Sequence, residues 1–252
     1  MKWTKIETGQ THSAFQHFMV ALGDEAETAV DRLNDDSDGF VNRLATFAIN
    51  GGTEPTISQQ KAREIMGKNM FGIEEAVRHF GISPTYGQLA VLSAIPFTEE
   101  ELQQRKDTHV LVAVFPLSIL EIREKVDDKR LFYDQDWYDG QAFAKEYGQV
   151  GWQLVQKTPV DNSTSKNWQE QLALVSEEDE VPIAQVMVYA IIGHCLATGE
   201  RLFKCIYVRT SSVVSGGDRV HVGDFDSSGL YVNNDGGGSR DDDVAVSSAR
   251  KF

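Results

Sequence analysis

Two short runs of acidic and amide side chains near the end of the chain have the composition of a cation site. They are Asn233-Asn234-Asp235 and Asp241-Asp242-Asp243. Carboxylate and amide oxygens are the ligands that Ca²⁺ takes in proteins. The spacing does not match an EF-hand, and neither the Glu-Pro-Asn nor the Trp-Asn-Asp pattern of calcium-dependent lectins occurs. The runs therefore favour a solvated acidic loop, and the sequence assigns no metal ligand.

The histidines and cysteines indicate no catalytic centre. The six histidines show neither metal-ligand nor triad spacing, and His194 is expected to be a buried core residue. Cys195 and Cys205 are the only cysteines and lie in different predicted elements. Two buried thiols are therefore favoured over a disulfide or a metal site. We expect no catalytic residue and no cofactor, and we keep an enzyme with an unrecognised site as an alternative.

Alternating side chains in the last forty-odd residues predict a three-stranded end with one apolar and one polar face. The residues expected on the core face are Val220, Val222, Leu230, Val232, Val244 and Val246. Those expected on the opposite face are His221, Gly223, Tyr231 and Asn233. Residues 234–243 contain no large apolar side chain, so they are predicted to form a surface loop.

Composition sets limits on fold and partners. The 252 residues are 41% hydrophobic and 10% aromatic, enough for one large core or two smaller ones. A formal net charge of -14 argues against a nucleic-acid partner, because binding phosphates needs clustered Lys and Arg. No apolar run is long enough to span a bilayer, and the beginning of the sequence does not resemble a signal peptide. Localisation and oligomeric state stay open.

The polar face must be positioned by the other helices and strands of the chain. Their predicted pattern indicates an α+β protein. Residues 1–106 have a mostly helical pattern whose role is unknown. It includes a helix expected from Asp38 to Asn50 and a capping box, Thr98-Glu-Glu-Glu101, expected to open another helix. Residues 107–252 begin with a β-branched strand at 108–115 and contain a second strand at 150–155. An apolar helix from Pro182 to Gly199 is hydrophobic nearly all round, so it should lie at the centre of the domain.

One compositional feature bears on function. From Ile206 to Arg250 the chain contains no Lys, Glu, Gln, Met or Trp, although all five occur elsewhere. Mutating only the adenines of an AAC or AAT codon cannot produce these five residues, whereas it produces Asn, Asp, Gly, Ser, Tyr, His and Val. Adenine-directed diversification would leave this composition. A loop rich in Gly, Asp and Ser that lacks those residues by chance is the alternative.

Several segments resemble the target proteins of diversity-generating retroelements. The variable region of that family is similar to Tyr207-Val-Arg-Thr-Ser-Ser212, Val222-Gly-Asp-Phe-Asp-Ser-Ser-Gly-Leu230 and Val246-Ser-Ser-Ala-Arg-Lys-Phe252. Its invariant parts resemble Thr158-Pro-Val-Asp-Asn-Ser-Thr-Ser-Lys-Asn167 and Ala197-Thr-Gly-Glu-Arg-Leu-Phe203. The likeness covers about the last half of the chain.

The resemblance implies a C-type lectin fold of the formylglycine-generating-enzyme subclass over residues 107–252, with a variable region at about 206–250. A reverse transcriptase rewrites the solvent-facing residues of this region in that family, and they bind a macromolecular ligand, which we expect to be a protein. Carried over to this sequence, the ligand-binding set is Asp218, His221, Asp224, Asp226, Tyr231, Asn233, Asn234, Asp235, Gly236, Gly237, Ser239, Asp241 and Asp243.

One absence argues against an enzyme of this subclass, and one departure from the family pattern weakens the expectation of tight binding. A formylglycine-generating enzyme needs active-site cysteines late in the fold, and no cysteine follows Cys205. Many family members have an aromatic and acidic loop where this chain has Gly236-Gly-Gly238, and aromatic anchors usually dominate binding energy. A non-diversified phage or surface structural protein with a lectin-like fold is therefore kept as an alternative.

Overall fold

The computed structural model describes residues 57–127 and 131–251, together with residues 13, 15–20, 23 and 26–35. The chain divides into two compact units, Met1–Pro55 and Thr56–Phe252. In the first unit residues 15–20 are helical, and helix α1 spans Ala26–Asp35. The helix predicted from Asp38 to Asn50 lies outside the described residues.

The second unit mixes helices and strands, which confirms the predicted α+β class. Its helices are α2 (Gln59–Met66), α3 (Ile73–Phe80), α4 (Tyr86–Val91), α5 (Glu99–Arg105), α6 (Ile119–Lys125), α7 (Ala142–Lys145), α8 (Trp168–Leu172) and α9 (Ala184–Thr198). Its strands are β1 (Met70–Phe71), β2 (His109–Val114), β3 (Gly151–Gln156), β4 (Asp179–Glu180), β5 (Tyr207–Val213), β6 (Arg219–Asp226), β7 (Gly229–Asp235), β8 (Val244–Val246) and β9 (Ala249–Arg250). The predicted division at residue 106 falls between α5 and β2 and stays a prediction.

Local sequence signals define where the short helices begin. The Thr98 hydroxyl accepts a hydrogen bond from the Glu101 amide, and the Glu101 carboxylate accepts one from the Thr98 amide. This reciprocal capping box was expected from the sequence, because it satisfies amides that have no partner inside the helix. Ser118 and Asn167 cap α6 and α8 in the same way.

The strands form two sheets. The first has the order β1-β2-β3-β9-β4, and the second has the order β7-β6-β5-β8. In the second sheet β5 and β8 run parallel, whereas β5, β6 and β7 are antiparallel neighbours. The sequence predicted three strands at this end. Strand β5, which was not predicted, lies between β6 and β8 and completes the sheet.

Helix α9 joins the two sheets into one core. It contacts β1 and β2 of the first sheet and β5 and β6 of the second. Twelve of its residues, from Ala184 to Cys195, are buried, as its apolar sequence predicted. His194 is 2% exposed, which confirms its expected place in the core. Cys205 is exposed rather than buried, and this corrects the prediction of two buried thiols. The residue lies in the turn that follows α9.

The outer edge of β7 is covered by residues 131–137. The Leu230 amide donates to the Leu131 carbonyl, and the Leu230 carbonyl accepts from the Tyr133 amide. Further along, the Val232 carbonyl accepts hydrogen bonds from the side chains of Gln135 and Trp137. An exposed strand edge is a template for pairing with another chain, and these contacts occupy that edge.

Candidate ligand-binding site

The second sheet has one apolar face and one polar face. Buried valines lie side by side on the core face; they are Val208, Val222 and Val232. The opposite face carries two cross-strand rows. From β7 to β8, the first row is Tyr231, Gly223, Tyr207 and Val244, and the second is Asn233, His221, Arg209 and Val246. Val244 and Val246 were expected on the core face, and their places in these rows correct that prediction. Ala245, which lies between them, pairs with Val208 on the core face. The predicted alternation is therefore confirmed for β6 and for β7 up to Asn233.

Near the β6–β7 turn the polar face forms a surface of tyrosine and aspartate side chains. Tyr133 stacks on Tyr231, with ring centroids 3.9 Å apart and planes 19° from parallel. The Tyr207 hydroxyl lies 3.5 Å from the Asp224 carboxylate. We call this region the tyrosine–aspartate surface and define it as Tyr133, Tyr207, Asp224, Asp226, Tyr231, Asn233 and Asp243.

The surface has a negative electrostatic character. Burial raises the pKa of Tyr207 to about 12, and the charges of Asp224 and Asp243 add to the effect. The pKa of Tyr231 is raised by partial desolvation, by its contact with Tyr133 and by the charges of Asp226 and Asp224. Both phenols therefore remain protonated at neutral pH and can donate hydrogen bonds. The nearby carboxylates give this surface a negative potential, which favours cations.

A bulge in β6 positions Asp224. The β6–β7 register shifts between Gly223 and Asp226, and Asp224 adopts a left-handed backbone conformation with φ 45°. Asp and Asn tolerate this conformation better than most residues. Bulges redirect side chains out of the regular alternation, and here the carboxylate of Asp224 is placed near the Tyr207 hydroxyl.

The loop 236–243 is held by its backbone. The Gly237 carbonyl accepts a hydrogen bond from the Trp168 amide, and the Asp241 carbonyl accepts one from the Ser165 amide, each at 2.9 Å. Asp241 and Asp243 are exposed. The side chains of these two residues can therefore be exchanged without removing the contacts that hold the loop.

Beyond His221, the polar face is occupied by a buried arginine. The Arg209 side chain is fully buried and uses all five of its N–H donors. It makes a bidentate ion pair with Asp235, and it donates to the Lys166 carbonyl, the Gln171 amide oxygen and the Ser239 carbonyl. Arg209 thus ties β5, β7, the loop and the segment before α8 together.

Three predicted binding residues occupy different positions from those expected. His221 is 4% exposed rather than solvent-facing, because the Tyr207 ring packs against it at 4.8 Å and Asp235 lies 3.7 Å from its Nδ1. Asn234 and Asp235 belong to β7 rather than to the loop, which begins at Gly236. Asn234 lies on the same side of the strand as Val232, and the Asp235 side chain is only 14% exposed.

The other predicted residues divide into two groups. Asp224, Asp226, Tyr231, Asn233 and Asp243 contribute to the tyrosine–aspartate surface. Asp218, Gly236, Gly237, Ser239 and Asp241 lie in the turn before β6 or in the loop. Sequence reasoning missed Tyr207 and Tyr133. The alternation of residues 207–210 could have indicated Tyr207, whereas Tyr133 is far away in sequence and has no local signal.

The ion pair of Asp235 should make folding stability depend on pH. Burial disfavours ionisation of this carboxyl, but its interactions with His221 and Arg209 outweigh that effect and hold its pKa at about 2. An unfolded Asp titrates near 3.9, so the ion pair stabilises the fold fully above that pH. The stabilisation is lost as the pH falls from about 4 to about 2.

We expect the difference in free energy of unfolding between the parent chain and Asp235→Asn to shrink across this pH window. Urea unfolding at a series of pH values measures it. A difference that stays constant from about pH 5 to about pH 2 would show that Asp235 is not the titrating group.

Comparisons with protein-family models, curated proteins and solved structures find no match for this chain. The retroelement resemblance therefore stays a prediction. Among the described residues there is no group of three or more His, Cys, Asp or Glu side chains that could hold a metal ion. None of the helices in the described part of the chain combines the length and apolarity needed to cross a bilayer.

Proposed function

We propose that this chain is a diversified ligand-binding protein whose variable region, about residues 206–250, is rewritten by adenine-directed retroelement mutagenesis to change its specificity. Under this proposal residues 107–252 adopt a C-type lectin fold of the formylglycine-generating-enzyme subclass. One observation carries the proposal. The segment that lacks Lys, Glu, Gln, Met and Trp is also the segment that supplies most of the tyrosine–aspartate surface and the loop.

The separation between core and surface supports diversification. In β6 and β7 the buried apolar side chains, such as Val222 and Val232, come from one set of alternating residues. The exposed side chain of Asn233 comes from the other set. Exchanges at exposed positions without special contacts usually change stability by about 0.5 kcal/mol or less. Asp241 and Asp243 are positions of this kind. A chain with this arrangement can change its surface while it keeps its fold.

The composition of the surface supports a protein partner. Tyrosine supplies large, rigid contact area at low entropic cost, and Ser, Gly and Asn supply adaptable hydrogen bonds, as in antibody paratopes. The Gly236–Gly238 segment lacks an aromatic anchor, but Tyr133, Tyr207 and Tyr231 provide three nearby. Anchors of this type contribute most of the energy in protein–protein interfaces.

Sequencing the encoding locus in several individuals tests the proposal. We expect a nearby reverse-transcriptase gene and a template repeat that differs from the codons for 206–250 almost only at template adenines. Codons for Asn233, Asp241 and Asp243 should vary between individuals. Codons for the core residues Val222 and Val232 should stay constant, because their replacement would open a cavity in the core.

A locus without such a repeat, and with an identical 3′ end in every individual, would contradict diversification. The chain would then be a fixed binding protein or a structural protein of the same fold. If the repeat exists but substitutions fall equally on core and surface codons, the assignment of the binding surface is wrong.

A further inference from the structure

The tyrosine–aspartate surface has carboxylates that no cation of the described chain neutralises. Asp224, Asp226 and Asp243 form no ion pair with any described residue. Arg209 is fully committed to Asp235 and to backbone and amide oxygens, and Arg240 pairs with Glu170. Charge complementarity therefore calls for a partner that brings positive charge.

Two tyrosines flank the most constrained of these carboxylates. Tyr207 and Tyr231 lie on either side of Gly223 in a cross-strand row that continues from Tyr207 to Val244. Neighbouring strands are about 4.8 Å apart, so the two tyrosine Cα atoms are separated by about 10 Å. Gly223 places no side chain between the rings. The bulge brings the Asp224 carboxylate to the Tyr207 hydroxyl, and the same carboxylate is near enough to Tyr231 for its charge to raise the pKa of that phenol. We call the space over Gly223 between the two tyrosines the slot.

We propose that this variant binds an arginine side chain of its protein partner in the slot, with Asp224 as the counter-ion and Tyr207 and Tyr231 as its aromatic walls. This inference rests on the function proposed above. A planar guanidinium stacks on aromatic rings and pairs with a carboxylate in one geometry, whereas an ammonium acts as a point charge. Cation–π contact and a charge-assisted hydrogen bond would then act on the same group.

Asp224→Asn is the informative variant, and Asp242→Asn is its matched control. Both remove one negative charge, and Asp242 is an exposed residue outside the tyrosine–aspartate surface. Asn tolerates the left-handed backbone of Asp224, so the fold should persist, and an unchanged Tm checks this. The probe is a fluorescent Gly/Ser peptide with several arginines, compared with the same peptide containing neutral citrulline or lysine in their place.

Fluorescence anisotropy with the whole chain should show that the arginine peptide binds about tenfold more tightly than the citrulline peptide. Asp224→Asn should weaken binding of the arginine peptide at least about fivefold, and Asp242→Asn less than about twofold. Tyr231→Ala should also weaken it. Equal losses in the two Asp variants would overturn the proposal in favour of a diffuse charge effect. Equal binding of the citrulline peptide, or no binding of the arginine peptide, would also overturn it.

These outcomes are separable from those of the proposed function. If the locus contains an adenine-varied repeat but the arginine peptide does not bind, the proposal of diversification is supported and the proposal of an arginine-binding slot is wrong. If the locus lacks the repeat, diversification falls whatever the peptide does. Tighter binding of the lysine peptide would replace the stacked guanidinium by a point charge and so overturn the assignment of arginine.

Discussion

Replacement of Asp235 by alanine is expected to lower the free energy of unfolding by about 3–5 kcal/mol, because it leaves a buried arginine without its counter-ion. Arg209 is fully buried, and Asp235 accepts two of its five hydrogen bonds. Thermal or urea unfolding measures the loss. Asp235→Asn should give a smaller loss, since its amide oxygen can still accept one of these bonds.

Asp241→Asn is the control for this prediction. Asp241 was also predicted to be a variable residue, but it is exposed and its backbone carbonyl makes its contact with Ser165. We expect its free energy of unfolding to change by no more than about 0.5 kcal/mol. Similar losses at both positions would contradict the structural role of Asp235. If the prediction holds, a diversified population should retain Asp235 while Asp241 varies.

Gly223→Ala adds a methyl group at residue 223, and we expect it to lower the free energy of unfolding almost as much as Asp235→Ala. Gly223 has φ 149°, and an added Cβ would lie 2.1 Å from the backbone oxygen of Ile206. That atom cannot move aside, because it also accepts the hydrogen bond of the Asp224 amide that holds β5 to β6. We expect Gly223→Ala to cost roughly 2 to 4 kcal/mol, from backbone strain together with overpacking.

Gly238→Ala tests whether the cost depends on position. Nothing lies within 4 Å of a Cβ at residue 238, so we expect a change within about 0.5 kcal/mol of zero. Comparable melting temperatures for Gly223→Ala and Gly238→Ala would show that β5 and β6 can separate at no cost. In that case the slot between Tyr207 and Tyr231 would not require glycine at residue 223.

Periodicity predicted the parts of the fold that one strand or helix determines for itself. The alternation of Val220, Val222, Leu230 and Val232 identified the core face, and all four residues are fully buried. The apolar sequence of α9 predicted its central place, and Thr98 with Glu101 predicted a helix start. These signals are local, since a pleat or a helical turn fixes the direction of each side chain.

Features that depend on distant segments could not be predicted. His221 alternates correctly but is buried, because Tyr207 and Asp235 from neighbouring strands cover it. Asp235 belongs to a residue type that is common in loops. Its role as the counter-ion of a buried side chain depends on Arg209, which lies 26 residues earlier in the chain. Tyr133 joins the surface only because residues 131–133 run along the edge of β7. Pairwise contacts of this kind leave no periodic signature in a single sequence.

Strand β9 has a consequence for protein synthesis. It lies between β3 and β4, and its Arg250 side chain reaches Glu101 and the Glu178 carbonyl. Chains emerge from the ribosome in order, so the first sheet cannot close until residue 250 has been translated. A reading-frame error anywhere in the codons for residues 206–248 would replace both residues of β9 and leave the edges of β3 and β4 open. Under the proposed function, substitutions at adenines keep the reading frame, so the rewriting of upstream codons leaves both residues of β9 and this sheet unchanged.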